Sequence, residues 1–251
     1  MSEVESLSYP RRRFIRGLMH RMSNLAFHAL ADVDIIGREN LPRKGPLLVV
    51  ANHFSYMDPA LLVGFMPWRL EFVGGFQMPN APRIVTFIPR MWGYMPLFRG
   101  TGARGALRAA EQVLSQGGVL GIMPEGGSWS QELRPARPGT AFLAVRTSAP
   151  ILPLGIDGLP ELFRAVRRGR RARVTVRVGE PFGPLTAEGH GPEHRKQVDA
   201  LGDVIMQRIA ELLPPERRGW YSDDPQVRAA ARASYSYPWA ASTETWAATQ
   251  R

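Results

Sequence analysis

The chain has 251 residues, of which 44% are hydrophobic and 22% charged, and this is the composition of an ordinary folded protein. It contains no cysteine, which excludes disulfides, thiol nucleophiles and cysteine-based zinc or iron–sulfur sites. The formal net charge is +10, and only Lys44 and Lys196 among the 32 basic residues are lysine. Such an excess of arginine favours anionic partners, namely phospholipid headgroups, phosphorylated substrates or nucleic acid.

The N-terminal segment is predicted to be disordered over residues 1–9 and to form a basic amphipathic helix over 10–32. Apolar residues between Phe14 and Ala26 recur at helical spacing. The basic residues of the segment are Arg11, Arg12, Arg13, Arg16 and Arg21. Two arrangements fit this pattern. The helix can lie in a membrane interface with its arginines on anionic headgroups, or it can pack on its own domain with a solvated basic face.

Strand and helix patterns alternate from residue 33 to 213. Strands are predicted within 32–40, 46–52, 69–74, 119–127, 151–158 and 171–182. Helices are predicted within 58–67, 79–90, 101–118, 134–150 and 192–213. This alternation predicts a single α/β domain with a mixed, largely parallel central sheet flanked by helices. Residues 214–251 are rich in Pro, Ser, Ala and aromatics, and we expect them to form a C-terminal appendage packed onto the domain.

A polar pair follows one buried strand, in the segment VVANHFSYMDPALL (49–62). Considered separately, His53 would be interpreted as a packed histidine, and Asp58 with Pro59 as a typical helix start. Together they lie at the carboxyl end of a strand, where open α/β sheets bind ligands. The interval allows the carboxylate to reach the imidazole, fix its tautomer and leave the other ring nitrogen free to take a proton. The pair therefore predicts a general base whose nucleophile arrives with the substrate, for example as a hydroxyl.

The segment NHFSYMD (52–58) resembles the H-x4-D motif of the glycerolipid acyltransferases, the lysophosphatidic acid acyltransferase superfamily. Three further segments resemble later blocks of that family in the same order, and they are GYMPLFRG (93–100), MPEGG (123–127) and APILPLGI (149–156). The resemblance extends over about residues 33–213. One H-x4-D motif is a weak signal, whereas four ordered blocks on an α/β pattern are a strong one.

The resemblance implies an O-acyltransferase that moves a fatty acyl group from acyl-CoA or acyl carrier protein to a lipid hydroxyl, most simply from 1-acylglycerol 3-phosphate to phosphatidate. It makes His53 the general base, worth about 10²–10⁴-fold in rate, and Asp58 the residue that orients it. It implies no metal and no cofactor beyond the acyl-CoA or acyl carrier protein co-substrate. The substrate-binding candidates are Arg99, Gly100, Pro124, Glu125, Gly126 and Arg137. Glu125 is also compatible with a loop-bracing role.

The third block departs from the family pattern. Gly127 and Ser128 stand where the family usually has threonine and arginine, so a phosphate-facing cation is missing. Arg134 or Arg137, a few residues later, can replace it. Alternatively, the acceptor is another lyso-lipid, an amino-acid lipid or a glycolipid, which needs less positive charge there.

The implied partners are an anionic membrane surface, a lyso-lipid acceptor, and acyl-CoA or acyl carrier protein. The expected location is peripheral, on the cytoplasmic face of a membrane, because no apolar run approaches the roughly 20 residues that cross a bilayer. A hypothesis from another class is a non-catalytic binder of anionic membranes or nucleic acid. It fits the charge but does not account for the ordered blocks. Nucleic acid is not an expected partner, since the chain has no helix-turn-helix, RNA-recognition or zinc pattern.

Overall fold

The computed structural model describes residues 9–74, 83–96, 103–128 and 130–236. The helices are α1 (Arg13–Leu30), α2 (Asp58–Phe65), α3 (Arg83–Trp92), α4 (Ala103–Ser115), α5 (Pro138–Thr147), α6 (Leu162–Arg167), α7 (Gly191–Ala210) and α8 (Pro225–Ala233). The strands are β1 (Ala31–Ile36), β2 (Leu47–Ala51), β3 (Glu71–Gly74), β4 (Met95–Pro96), β5 (Val119–Ile122), β6 (Ile151–Asp157) and β7 (Ala172–Val178). The predicted elements are present within a few residues, and α6, α8 and the short β4 are additional.

The described strands form one sheet in the order β1-β7-β6-β2-β5-β3-β4. All neighbouring pairs are parallel except β6 and β7, which confirms the predicted mixed, largely parallel sheet. The carboxyl ends of β2, β5, β3 and β6 therefore share one edge of the sheet. Because β7 runs against β6 and β1 runs with β7, the first residues of β1 and β7 lie at this same edge, called the catalytic edge below.

Helices cover both faces of the sheet, as a largely parallel sheet requires. Side chains of α1, α2 and α6 pack on one face with alternate residues of β1, β2, β6 and β7. Side chains of α4, α5 and α7 pack on the other face with the intervening strand residues. The central strand β2 is an uninterrupted apolar run because both of its faces are buried. It delivers the residues after Ala51 to the middle of the catalytic edge.

A buried ion cluster fixes the start of α1 to the sheet. Arg16 is fully buried, forms a bidentate ion pair with Glu71 of β3 and donates from Nε to the Trp92 carbonyl at 2.9 Å. Arg11 also binds Glu71 and donates to the Gly93 carbonyl at 2.6 Å. Burial raises the pKa of Glu71, but the hydrogen bonds and charges of these two arginines outweigh it, so the pKa lies below its ordinary value.

Three of the arginines that were expected either on lipid headgroups or on a solvated face are therefore bonded to other parts of the protein. Besides Arg11 and Arg16, Arg12 donates to the carbonyls of Arg90 and Met91 at 2.8 and 2.9 Å. The sequence pattern did not predict these contacts, because helical periodicity cannot reveal a buried carboxylate on a distant strand. Exposed apolar side chains do line the outer face of α1, and they are Phe14, Ile15, Leu18, Met22 and Leu25.

Candidate active site

Asn52, the first residue after β2, sets the direction of the chain at the catalytic edge. Its side chain is fully buried and pairs with Ile156 of β6. The amide nitrogen donates to the Ile156 carbonyl at 2.8 Å, and the amide oxygen accepts from the Ile156 N–H at 2.7 Å. The side chain thus extends the pairing of β2 and β6 by one residue. The backbone directly before His53 is therefore held in a fixed position at the end of the central strand.

The side chains of His53 and Asp58 are in contact, as the motif spacing predicts. Asp58 Oδ2 accepts hydrogen bonds from His53 Nδ1 at 2.9 Å and from the Ser55 N–H at 2.9 Å. Asp58 is completely buried, whereas the His53 side chain is 17% exposed. Helix α2 begins at Asp58, with Met57 rather than Asp58 at the N-cap position, and the Asp58 carboxylate turns back to the imidazole. His53 Nε2 has no hydrogen-bond partner within the described ranges.

The buried carboxylate of Asp58 is suited to stabilise a positive charge on the adjacent imidazole. Burial raises the pKa of Asp58 above its ordinary value, and the hydrogen bond and charge of His53 act in the opposite direction. The buried carboxylate is consequently most stable as an anion when the adjacent imidazole is positively charged. This is the state that His53 reaches when it takes a proton from a substrate at Nε2.

Glu125, in the turn after β5, holds the backbone of His53. It is 1% exposed, and its Oε1 and Oε2 accept from the N–H groups of His53 at 2.8 Å and Arg134 at 3.1 Å. Burial, with the charge of Asp58 adding to it, raises the pKa of Glu125 to about 8, although the two N–H donors act against the shift. Because both oxygens are engaged inside the protein, this geometry favours the loop-bracing role over a direct contact with the acceptor.

Arg134 is not positioned to bind a substrate phosphate. It is 8% exposed, and its guanidinium donates to the Ala231 carbonyl of α8 at 2.6 Å and to Ser130 Oγ at 3.1 Å. It also forms an ion pair with Glu132 at 2.9 Å. The possibility that Arg134 replaces the missing cation of the third block is thus excluded by its contacts. Arg137 is the remaining candidate.

The first part of the C-terminal appendage packs around the same loop. The Leu133 N–H donates to the Arg217 carbonyl at 2.9 Å, and the Leu133 carbonyl accepts from the Trp220 N–H at 3.1 Å. A side chain at Gly219 would lie 2.8 Å from the Leu133 oxygen, so this close approach requires glycine. The segment 214–236 therefore surrounds the loop that carries Arg134, which in turn contacts Glu125.

A cavity of about 1050 Å³ opens beside the turn after β5. Pro124, Gly126 and Arg137 line it, together with apolar side chains of β3, β5, α4 and α5 and the first turns of α7. Gly126 has a φ of +76°, and a Cβ there would lie 3.2 Å from the Arg137 side chain. His53, Asp58 and Glu125 are not part of the lining. The candidates Arg99 and Gly100 lie outside the described residues.

Two features of the site were not predicted from the sequence. The hydrogen bonds between Asn52 and Ile156 could have been predicted, since the sequence places an amide side chain directly after an entirely apolar strand. Tyr56, in the turn between His53 and Asp58, stacks on Phe163 of α6. No sequence pattern could have predicted this contact, because it joins distant parts of the chain. Within the ranges that the structure covers, no group of three or more acidic or histidine side chains has the geometry to hold a metal ion.

Known proteins resemble this chain in sequence and in structure. A family model described as Acyltransferase matches residues 32–157. The chain is 23% identical over 181 residues to the 1-acyl-sn-glycerol-3-phosphate acyltransferase of Bacillus subtilis, covering 72% of this chain and 87% of that protein. It is 25% identical to the chloroplastic 1-acyl-sn-glycerol-3-phosphate acyltransferase BAT2 of Brassica napus, covering 81% of this chain but only 57% of that protein. The crystal structure of the 1-acyl-sn-glycerophosphate (LPA) acyltransferase PlsC from Thermotoga maritima superposes with a TM-score of 0.55 and 27% identity, over 80% of each chain.

Proposed function

The chain belongs to the acyltransferase family, and on that basis we propose that it transfers a fatty acyl group from an acyl thioester to the free hydroxyl of 1-acylglycerol 3-phosphate, giving phosphatidate. The thioester is carried by coenzyme A or by acyl carrier protein, and no further cofactor takes part. The observation that carries the proposal is the 2.9 Å contact between His53 Nδ1 and the buried Asp58, at the carboxyl end of the central strand. The names of the relatives supply the acceptor.

The proposed step is direct attack by the acceptor on the thioester. His53 Nε2 takes the proton of the acceptor hydroxyl while its oxygen bonds to the thioester carbonyl carbon. Asp58 holds Nδ1–H and stabilises the resulting imidazolium. The tetrahedral intermediate then expels the thiolate, which recovers the proton from His53. The products are an ester and a free thiol, and the enzyme returns to its starting state.

We propose that Arg137 and Arg99 bind the phosphate of the acceptor. Arg99 is included because it belongs to the second motif block. Arg137 lines the cavity beside the turn after β5, and a guanidinium suits bidentate binding of phosphate. The apolar side chains around the same cavity suit an acyl chain of either substrate, and they include Val73, Leu107 and Ile122. Since Arg134 is engaged with α8, the alternative of a less anionic lyso-lipid acceptor stays open.

We place the membrane contact on the outer face of α1. Phe14 is 85% exposed and Leu25 is 73% exposed, and Leu18 and Met22 lie between them at helical spacing. Apolar side chains with this exposure on one face suit insertion into a lipid interface. In the described part of the chain, no helix has the length and apolarity to span a bilayer.

The test is product analysis by mass spectrometry. The purified protein is incubated with acyl-CoA or acyl carrier protein thioester and a panel of acceptors: 1-acylglycerol 3-phosphate, other lysophospholipids and amino-acid lipids. We expect phosphatidate to form, and we expect a folded His53→Ala variant to form none. Turnover retained by His53→Ala would overturn the base assignment. Acylation of another acceptor in preference to 1-acylglycerol 3-phosphate would overturn the substrate assignment.

A further inference from the structure

We propose, on the basis of the acyl transfer proposed above, that the arginine-rich surface of α6 and the start of β7 docks an acidic acyl carrier protein as the donor. This surface, called the arginine surface, is formed by Phe163, Arg164, Val166, Arg167, Arg168, Arg170 and Arg173. It gives the donor a docking surface and selects between the two thioester carriers.

The arginine surface carries an excess of positive charge, although Asp32 of β1 lies beside Arg173 in the sheet register. The segment 162–179 contains seven arginines and no acidic residue. Two of the seven are engaged elsewhere: Arg171 pairs with Asp32 at 2.8 Å, and Arg177 donates to the Leu212 carbonyl. The other five are exposed and form no ion pair within the residues that the structure places. A field of this sign over a short distance attracts and orients an acidic partner.

The arginine surface adjoins the catalytic turn. The ring of Phe163 stacks on Tyr56 with centroids 5.9 Å apart and ring planes 18° apart. Tyr56 lies between His53 and Asp58 in the sequence, so the apolar centre of the surface touches the segment that carries the base. Both α6 and the first residues of β7 lie at the catalytic edge. A protein docked there can present its thioester at the end of the sheet that carries His53.

The form of the surface fits a protein better than a bilayer. Phe163 and Val166 are 42% and 39% exposed, whereas Phe14 of α1 is 85% exposed. Partly exposed apolar side chains surrounded by arginines are typical of the centre and rim of a protein interface. The strongly projecting side chains of α1 are the ones suited to lipid.

The arginine surface also continues around the edge of the sheet. Ala172 and Val174 of β7 are buried on the face covered by α6, so Arg173 between them projects to the opposite face. A flat bilayer in contact with α6 does not reach Arg173 at the same time, whereas a folded protein can follow this curvature. The enzyme therefore presents two different surfaces, one apolar for the membrane-borne acceptor and one basic for a water-borne donor.

The experiment compares two triple charge reversals. In the test variant, Arg164, Arg167 and Arg168 are replaced by glutamate. In the matched control, the same replacement is made at Arg38, Arg43 and Lys44, which are exposed at the opposite edge of the sheet. Binding of fluorescently labelled acyl carrier protein is measured by anisotropy. Initial rates are measured with the same acyl chain on acyl carrier protein and on coenzyme A, and flotation is measured with phosphatidylglycerol–phosphatidylcholine vesicles.

We expect the test variant to raise the carrier-protein Kd and the KM for the carrier-borne donor on the order of 10–100-fold at low salt. We expect kcat at saturation, the acyl-CoA kinetics and vesicle flotation to match the wild type, and the control variant to match it throughout. Wild-type carrier binding by the test variant, equal losses with both donors, or a loss confined to vesicle flotation would each overturn the proposal. Failure of the wild type to transfer from either donor would count against the proposed reaction, while anisotropy still decides the docking.

Discussion

The carboxylate of Glu125 accepts the backbone N–H of His53 at 2.8 Å across 72 residues of sequence. This bond joins the turns that follow the adjacent strands β2 and β5, and its acceptor Glu125 is buried. A general base acts only within a narrow range of distance and angle to its substrate, so small backbone shifts at His53 translate into large rate losses. Glu125 is thus a positioning residue for the proposed base.

Replacing Glu125 by alanine should lower kcat on the order of 10²-fold while leaving the KM of both substrates nearly unchanged, because the base is misplaced and the binding sites are not. Glu125→Gln retains one acceptor oxygen, so its kcat should lie between those of the wild type and Glu125→Ala. Steady-state kinetics measure the split, with Glu111→Ala as a control at a partly exposed position. An acceptor KM that rises with kcat unchanged would instead assign Glu125 to the acceptor pocket.

The raised pKa of Glu125 predicts a dependence of stability on pH. Its ordinary pKa is 4.5, and burial raises it to about 8 in the folded protein. Between these values the folded protein keeps a proton that the unfolded chain has lost, so the free energy of unfolding falls as the pH rises through this window. Urea unfolding at several pH values should show a steeper fall for the wild type than for Glu125→Gln. Parallel curves would contradict the shift.

The sequence predicted the elements and the contact between His53 and Asp58 because their causes are local. Periodicity marks strands and helices, and the His53–Asp58 contact closes over five residues. The contacts of Arg16 and Arg134 could not be predicted, since each arginine binds a partner far away in the chain and looked solvent-exposed in its own segment. Helix α8 had a local signal that was missed: Asp224 before Pro225 accepts from the Gln226 N–H at 2.7 Å as a helix cap.

Glu71 should be critical for stability. Glu71→Ala leaves Arg16 buried without a counter-charge and should cost about 3–5 kcal/mol in the free energy of unfolding. The pKa of Glu71 is lowered in the folded protein. Its contribution to the free energy of unfolding is therefore fully present above the pKa of the unfolded chain, and it is lost as the pH falls through the pKa of the folded protein. Chemical unfolding near neutral pH measures the cost. The exposed Glu39 provides the control, and a Glu71→Ala variant as stable as Glu39→Ala would contradict the structural role of the cluster.

We expect Arg134 to have a structural role and Arg137 to bind the substrate. Arg134→Ala removes the bond to the Ala231 carbonyl and should cost about 1–3 kcal/mol of stability. Arg137→Ala should raise the KM for a phosphorylated acceptor far more than for the thioester. Kinetics and thermal unfolding of the two variants test this together, and the same profile for both would contradict the assignment.

The membrane contact should depend on the apolar face of α1 rather than on its first arginines. Burying a large apolar side chain in an apolar environment is worth about 1.5–3 kcal/mol. Phe14→Ser with Leu25→Ser should therefore weaken binding to phosphatidylglycerol-containing vesicles at least tenfold, by about 1.4 kcal/mol or more, with the thermal unfolding temperature unchanged.

Arg11→Gln with Arg12→Gln supplies the contrast, because these side chains bind Glu71 and backbone carbonyls of α3 rather than lipid. This second variant should lower the unfolding temperature with little direct effect on vesicle binding by the folded protein. Vesicle co-sedimentation below both unfolding temperatures compares the two. If the serine variant binds vesicles as the wild type does, the outer face of α1 is not the membrane contact, because those two side chains are its most exposed apolar groups.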